Sequence, residues 1–280
     1  IEDLQLTNIS KTPTAAYSSR PLLGDLATMI GLDRPDQIHR LSDDALRKIN
    51  SSFDEAITPA MSNLGKRVDK AKFAVENTDT PGVYYSSSAE DYQSSLLLLS
   101  PYASLELPAL DGDPVVICPS RNQMLITGSD NEIGLTFLIQ YALRALGATA
   151  HWCSARLYIW RDGHWAAFYP PEGTATQKIY EKTLANERAY FQSGIQAALQ
   201  KKFEAAGQDV YVGTPMVLEK DARTLTSTTW TKQVTHGVIP ETDWVSFIDL
   251  HVDPTTGKAS QKPTHLTVPW KAAYSIAGHR

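Results

Sequence analysis

PVVICPSRNQMLITGSDNEIGLTFLIQYALRALG, residues 114–147, is the longest segment of the chain that is too apolar to face water. Its two short apolar runs, Val115–Cys118 and Met124–Thr127, are separated by turn-forming residues, which predicts a tight pair of strands. An almost uncharged run from Ile133 to Leu146 follows, which predicts a helix covered on most of its sides. We therefore expect the core of the protein to lie in this stretch.

The predicted helix carries a start signal and a stop signal. Ser129 and Glu132 have the spacing of a capping box, in which each side chain accepts a hydrogen bond from the other residue's backbone N–H. Gly147 supplies a left-handed C-terminal stop. Because apolar residues surround the helix, we expect Phe137 to be buried, and Phe137→Ala to cost several times more stability than loss of the Ser129 cap.

The order of elements predicts an α+β fold. We expect N-terminal helices and the central buried helix to pack on a mixed, mainly antiparallel sheet, accompanied by a long amphipathic helix over 175–206. Asp162-Gly163, between two aromatic-rich runs, is the strongest hairpin signal in the chain. Ser42 and Ser52 precede two N-terminal helices. The last third is predicted to be mostly strand, in the segments Val210–Leu218, Thr226–Val234, Trp244–Val252 and His265–Val268, before a closing helix at Trp270–Ala277.

The predicted domain organisation is simple. Residues 1–41 are expected to form an arm with an edge strand at Leu4–Ile9 and a short helix from Pro21 to Gly31. Residues 42–280 are expected to form one α+β domain, with two lobes meeting near 147–175 as the alternative.

Composition excludes some classes of partner. The chain has 280 residues, 42% hydrophobic and 20% charged, with a net charge of −5 and interspersed acids and bases. Without a basic stripe, a nucleic-acid partner is not expected. The most apolar windows fall short of the ~20 residues that span a bilayer, so no membrane partner is expected either. An unknown protein or small-molecule ligand is left as the expected partner.

The chain contains two cysteines, Cys118 and Cys153. Two thiols do not make a disulfide framework, so we interpret them as free, buried and unreactive in a reducing compartment. Because the sequence opens at Ile1, it is expected to be processed or trimmed, and any signal peptide would already be lost. Cytoplasmic location is the expectation.

Two residue clusters have the spacing of metal ligands. Asp249, His251 and Asp253 alternate on a predicted strand, so their side chains would share one face. The simpler interpretation is a solvent-facing edge, and we expect no metal there. His151 and Cys153 also share a face, but no second pair follows, so a structural zinc site is not expected. No cofactor is predicted.

Polar residues at strand ends are the other candidates for function. Arg121 and Asn122 occupy the turn between the two core strands, a position where ligand-binding loops often lie, although a turn that bonds only to itself explains them as well. Aromatic side chains in the last third would supply a binding surface. The candidate binding residues are Arg121, Asn122, Trp230, His236, Asp243 and His251.

These residues support two hypotheses. The first is a non-catalytic binding or interaction protein, because no catalytic motif is present and aromatic strand surface is abundant. The alternative is a hydrolase that uses an acid or histidine from the strand ends, Asp243, His236 or His251, while Arg121 binds an anionic substrate. No catalytic residue is assigned.

Four segments, spread from about Asp44 to Gly278, resemble the uncharacterised YtpQ-like proteins of bacteria. They are the helix Ala60–Val68, the Tyr-x-x-Ser-x-x-Leu-Leu run at Tyr92–Leu99, the Val-Ile-Cys-Pro-Ser-Arg-Asn turn with its Thr-Gly-Ser-Asp, and Gly237-Val238-Ile239-Pro240 leading through Asp243 to Trp270. The sequence has Ser120-Arg121-Asn122 where an Asn-Arg-Asp run is expected. The resemblance implies a soluble bacterial α+β protein and assigns no catalytic residue.

Overall fold

The computed structural model confirms the α+β class, with helices and mainly antiparallel sheets. The chain divides into two compact units, Ile1–Thr183 and Leu184–Arg280, whereas the sequence placed an alternative lobe boundary near 147–175. The residues described are 17–34, 38–71, 74–87, 93–99, 109–149, 151–220, 223–249 and 264–277. The predicted edge strand at Leu4–Ile9 lies outside them.

The bounds of the elements are as follows. The helices are Asp43–Lys48, Phe53–Ala71, a 3-10 helix Gln93–Leu98, the central helix Glu132–Ala145, the long helix Ala175–Ala205 and Trp270–Ala277. The strands are β1 Ser19–Leu23, β2 Leu26–Met29, β3 Gly31–Asp33, β4 Ile38–Arg40, β5 Ala74–Asn77, β6 Val83–Ser87, β7 Pro114–Ser120, β8 Gln123–Gly128, β9 Leu157–Arg161, β10 His164–Phe168, β11 Tyr211–Val212, β12 Met216–Lys220, β13 Arg223–Thr231, β14 Gly237–Val238, β15 Trp244–Asp249 and β16 Thr264–Pro269.

The first unit is organised around a six-stranded antiparallel sheet in the order β10-β9-β7-β8-β6-β5. All seven residues of β7 are buried, because the sheet is covered on both faces. Val116 and Ile126 pack in a cluster with Leu96 and Leu97 of the 3-10 helix. The central helix packs on β7 and β8 as well. Two covered faces explain why β7 reads as a continuous apolar run.

The central helix begins later than the sequence predicted. Its N-cap is Asn131, whose side chain accepts a hydrogen bond from the Gly134 backbone N–H at 2.8 Å. The predicted Ser129 cap is wrong, because the Ser129 hydroxyl accepts instead from the backbone N–H of Asp113 at 3.0 Å. That bond joins the helix entry to the start of β7, a long-range contact that local spacing does not reveal.

The prediction that the central helix is covered on most sides needs correction. Its buried residues are Gly134, Leu135, Leu138, Ile139 and Ala142, which form one face. Ile133 is 71% exposed, and Phe137 is half-buried rather than inside. The apolar side chains on the outer flank therefore contribute less to the core than the sequence suggested.

The short helix predicted from Pro21 to Gly31 is wrong. This segment forms the hairpin β1–β2, with Gly24 at the turn in the left-handed region at φ 58°. The leucine spacing resembles a helical stripe, but Asp25 in the turn bonds to Ser154 and Tyr158, far along the chain. Those contacts favour a hairpin lying on the sheet over an isolated helix.

Other local predictions are confirmed. Ser42 caps Asp43–Lys48 by accepting from the Ala45 backbone N–H, and Ser52 forms a capping box with Glu55 at the start of Phe53–Ala71. That bond to Ser52 lowers the pKa of Glu55. The Asp162-Gly163 turn joins β9 to β10, with both residues at positive φ, as a two-residue hairpin requires. In this hairpin Trp160 and Trp165 form a cross-strand edge-to-face pair.

The second unit contains a four-stranded sheet in the order β12-β13-β15-β16. Strands β13 and β15 run parallel and the other pairs antiparallel, so the predicted mixed character is confirmed here. The closing helix has the predicted bounds, Trp270–Ala277. The long helix Ala175–Ala205 has residues in both units, and Phe191, one of its predicted apolar-face members, is 41% exposed.

These assignments predict a hierarchy of stability costs in the central helix. Leu138 is fully buried, so Leu138→Ala should lower the free energy of unfolding by about 2–5 kcal/mol. Asn131→Ala removes the cap and the exposed bond from the Asn131 amide to the Pro81 carbonyl, and should cost about 1–2 kcal/mol. Half-buried Phe137→Ala should cost less than Leu138→Ala. Urea midpoints at matched m-values measure all three. Equal midpoints for Leu138→Ala and Asn131→Ala would contradict the placement of the core.

Candidate functional site

Asp243 is used to hold the second unit together. One carboxylate oxygen accepts from the backbone N–H of Thr226 at 2.7 Å and from its hydroxyl at 2.9 Å. The other oxygen lies 3.5 Å from the Arg188 guanidinium. This side chain therefore links β13, the start of β15 and the long helix, a structural task that explains its presence at a strand end.

Trp230 and His236 have local partners in the second unit. A Cβ placed on Gly237 would lie 3.0 Å from the Trp230 ring, so the indole covers that glycine. The His236 ring lies 3.1 Å from the Thr235 hydroxyl and is exposed. Trp230 also borders a shallow depression of about 440 Å³ together with Phe247.

The predicted metal-ligand cluster is described only at Asp249. Its carboxylate pairs with the Lys232 ammonium at 3.0 Å and accepts from the Gln233 amide at 3.4 Å. His251 and Asp253 lie outside the described residues. Within the described part of the chain, no group of three or more His, Cys, Asp or Glu side chains is arranged to hold a metal ion.

Arg121 lies on a cleft in the first unit. The cleft has a volume of about 290 Å³ and opens at the end of the β7–β8 pair. The polar side chains that line it are Thr28, Asp33, Arg40, Ser94, Ser95, Arg121, His151 and Cys153. We call this the Arg121 cleft.

Backbone hydrogen bonds fix the polar side of the Arg121 cleft. The Ser94 N–H donates to the Arg121 carbonyl at 3.0 Å, and the Arg121 N–H donates to the His151 carbonyl at 3.1 Å. The Cys153 N–H donates to the carbonyl of Pro119 at 2.9 Å. The end of β7 and the turn after it are therefore bonded to two other segments, the 3-10 helix and residues 151–153.

Asn122 belongs to the turn itself. Its amide oxygen accepts from the Ser120 hydroxyl at 2.6 Å, and the side chain is exposed. Asn122 does not line the Arg121 cleft. For Asn122 the simpler interpretation, a turn that hydrogen-bonds only to itself, therefore applies. Arg121, by contrast, lines a cavity.

The pKa of the Cys153 thiol is subject to opposing effects in the cleft. Burial raises the pKa of the Cys153 thiol, while a hydrogen bond from Ser94 and the charges of Arg40 and Arg121 act to lower it. Burial is the largest of these effects, so the thiol is protonated at neutral pH. Cys118, wholly inside the sheet, has a pKa raised further for the same reason. Both cysteines are free, and Cys153 is only half-buried.

A second polar cluster fastens the wall of the cleft. The Asp25 carboxylate accepts from the hydroxyls of Ser154 at 2.9 Å and Tyr158 at 2.8 Å, and lies 3.2 Å from the Arg156 guanidinium. Asp25 is the turn residue of the β1–β2 hairpin, and β2 lines the cleft. This Asp25 cluster holds the hairpin against the sheet, and burial raises the pKa of the Tyr158 hydroxyl so that it stays a donor.

The structure brings together residues that sequence reasoning kept apart. Arg121 was nominated, and His151 and Cys153 were considered only as zinc ligands. Arg40 and Ser94 were missed, because neither stands in a recognisable motif. The one sequence signal for the cleft was the alternation of His151 and Cys153. It predicts that their side chains share a face, but it does not predict that Arg40 and Arg121 line the same cleft. Trp230, His236 and Asp243 belong to the second unit, so they do not line this cleft.

Comparisons with known proteins add no relative. No family model, no curated protein and no solved structure matches the chain. The resemblance to the YtpQ-like proteins therefore stays a prediction. Among the described residues, no helix combines the length and apolar character needed to cross a bilayer.

The opposing influences on Cys153 predict its reactivity. A thiol reagent at neutral pH should label Cys153 slowly, because only the thiolate reacts and burial raises the thiol pKa. The rate should rise with pH as the thiolate forms, while Cys118 stays unlabelled until the protein unfolds. Arg121→Gln removes a charge that lowers the pKa, so it should slow labelling further, whereas Arg144→Gln, on the exposed end of the central helix, should not. Mass spectrometry of labelled peptides assigns each rate.

Equal labelling rates for Cys118 and Cys153 in the native protein would contradict this description. Faster labelling of Cys153 in Arg121→Gln would contradict the assigned sign of the Arg121 effect.

Proposed function

We propose that this protein is a non-catalytic binding protein, and that the Arg121 cleft holds a small anionic molecule. The observation that carries the proposal is that Arg40 and Arg121 both line this cavity of about 290 Å³ together with Cys153, whose thiol pKa is raised by burial and lowered by both of their charges. Two guanidiniums at one concave site favour a carboxylate or phosphate group, because their fixed N–H donors match oxyanions.

The protonation state of Cys153 supports binding over catalysis. Cys153 is the strongest nucleophile by residue type among the described cleft residues, but burial keeps it as the neutral thiol. A hydrolase that uses Asp243, His236 or His251 is the competing proposal. It has less support, since the Asp243 carboxylate is occupied by Thr226 and Arg188.

We also propose a cytoplasmic location. The motivation is the pair of free thiols, Cys118 and Cys153, since reducing compartments keep such thiols from forming mixed disulfides.

The proposal predicts that small anions stabilise the protein. In a thermal-shift screen at constant ionic strength, phosphate and simple carboxylates should raise the melting temperature relative to chloride, because a ligand that binds only the folded state stabilises it by mass action. Arg121→Gln and Arg40→Gln should each reduce this shift at least several-fold. Arg144→Gln, the matched control outside the cleft, should retain it.

Two outcomes would contradict the proposal. One is a screen in which no anion raises the melting temperature of the wild-type protein. The other is a shift that persists unchanged in both cleft variants, which would place the anion elsewhere.

A further inference from the structure

The Arg121 cleft has an apolar wall as well as a polar one. The polar wall carries Ser94, Arg121, His151 and Cys153, which the backbone bonds described above join together. The aliphatic side chains come mainly from the β1–β2 hairpin and from the 3-10 helix, and they are Leu22, Leu26, Ala27, Met29, Ile30, Ile38 and Leu98. A ligand that fills the cleft therefore meets both kinds of surface.

Two large side chains of the apolar wall are exposed to solvent. Leu22 is 37% exposed and Met29 is 43% exposed, so both present hydrocarbon to water beside the arginines. Burying that surface is favourable in proportion to the apolar area removed from water. A hydrocarbon group on the ligand would supply this burial, which inorganic phosphate or acetate does not.

Charged side chains line the cleft. They are Arg40, Arg121 and Asp33, and Arg40 is held on β4 by pairing with Gly31 of β3. The two guanidiniums are suited to bind an anionic head group, because their fixed N–H donors match oxyanions.

The cleft has room for a head group and a hydrocarbon tail. Its volume of about 290 Å³ is at the small end of the range for ligand pockets, roughly 300–1,000 Å³.

We propose that the ligand of the Arg121 cleft is a carboxylate with a hydrocarbon tail. Its carboxylate binds Arg121 and Arg40, and its tail lies against Leu22, Leu26 and Met29. This inference rests on the proposed function, because it names the class of anion that the same cleft binds. It adds a requirement that simple anion binding does not have, a dependence of affinity on chain length.

Isothermal titration calorimetry with a series of linear carboxylates tests this requirement. The probes are the sodium salts of acetate, butanoate, hexanoate, octanoate and dodecanoate, together with inorganic phosphate and the neutral analogue 1-octanol. The Kd should fall by up to about fourfold for each methylene that enters the cleft, and should stop falling once further methylenes lie outside it. Phosphate and 1-octanol should each bind at least tenfold more weakly than octanoate.

Two pairs of variants separate the head group from the tail. Arg121→Gln should weaken all the carboxylates by a similar factor, with Arg144→Gln as its control. Met29→Gln should flatten the chain-length dependence while leaving acetate unchanged. Its control is Met216→Gln in the second unit, since Met216 is also 43% exposed. These methionines are partly exposed, so the variants are expected to fold, and unfolding midpoints confirm it.

The outcomes distinguish this inference from the proposed function. If acetate, octanoate and phosphate bind with equal affinity and all depend on Arg121, the cleft binds anions and the tail assignment is overturned. Equal binding of 1-octanol and octanoate overturns the role of the carboxylate. Equal loss of octanoate affinity in Met29→Gln and Met216→Gln overturns the location. If none of the anions binds, the proposed function fails as well.

Discussion

The rest of the first unit depends on the burial of both faces of β7 and β8. If only one face were covered, half of their side chains would lie in water. A run such as Val115–Cys118 would then expose apolar side chains, which is unfavourable. The central helix packs on this pair, and the 3-10 helix with part of the β1–β2 hairpin packs on it too. Each cover has its own anchor, for example the Ser129 bond to Asp113 and the Asp25 cluster. Because both faces are covered, this pair of strands forms the centre of the core of the first unit.

The burial of this strand pair also determines where charged side chains can lie. Inside the strand pair there is no place for a charged group, so Arg121 stands at the turn where the apolar run ends. The last residue of β7, Ser120, bridges to Trp152, which brings His151 and Cys153 to the same end. The Arg121 cleft is therefore a consequence of where the core stops. Its walls are loops and a hairpin held by a rigid sheet, the usual arrangement of a binding site.

The sequence predicted the elements whose signals are local. The helix N-termini at Ser42 and Ser52, the Asp162-Gly163 hairpin turn and the helix Trp270–Ala277 each depend on residues close in the chain, and the structure confirms them. The β1–β2 hairpin was predicted wrongly because its anchor, Asp25, finds its partners on β9 and just before it. Only part of the cleft could be predicted from the sequence. Arg121 was nominated from its turn, but Arg40 lines the same cleft from β4, far away in the chain, and no local pattern reveals that.

The central claim is that the functional site of this protein is the Arg121 cleft. Hydrogen–deuterium exchange of the whole chain, with and without saturating octanoate, tests it most directly, since a bound ligand suppresses opening of the segments that it touches. The account predicts slower exchange in the segments 26–31, 93–98, 121–123 and 151–153. Slower exchange confined to 226–231 and 244–249 of the second unit, with the cleft segments unchanged, would contradict it.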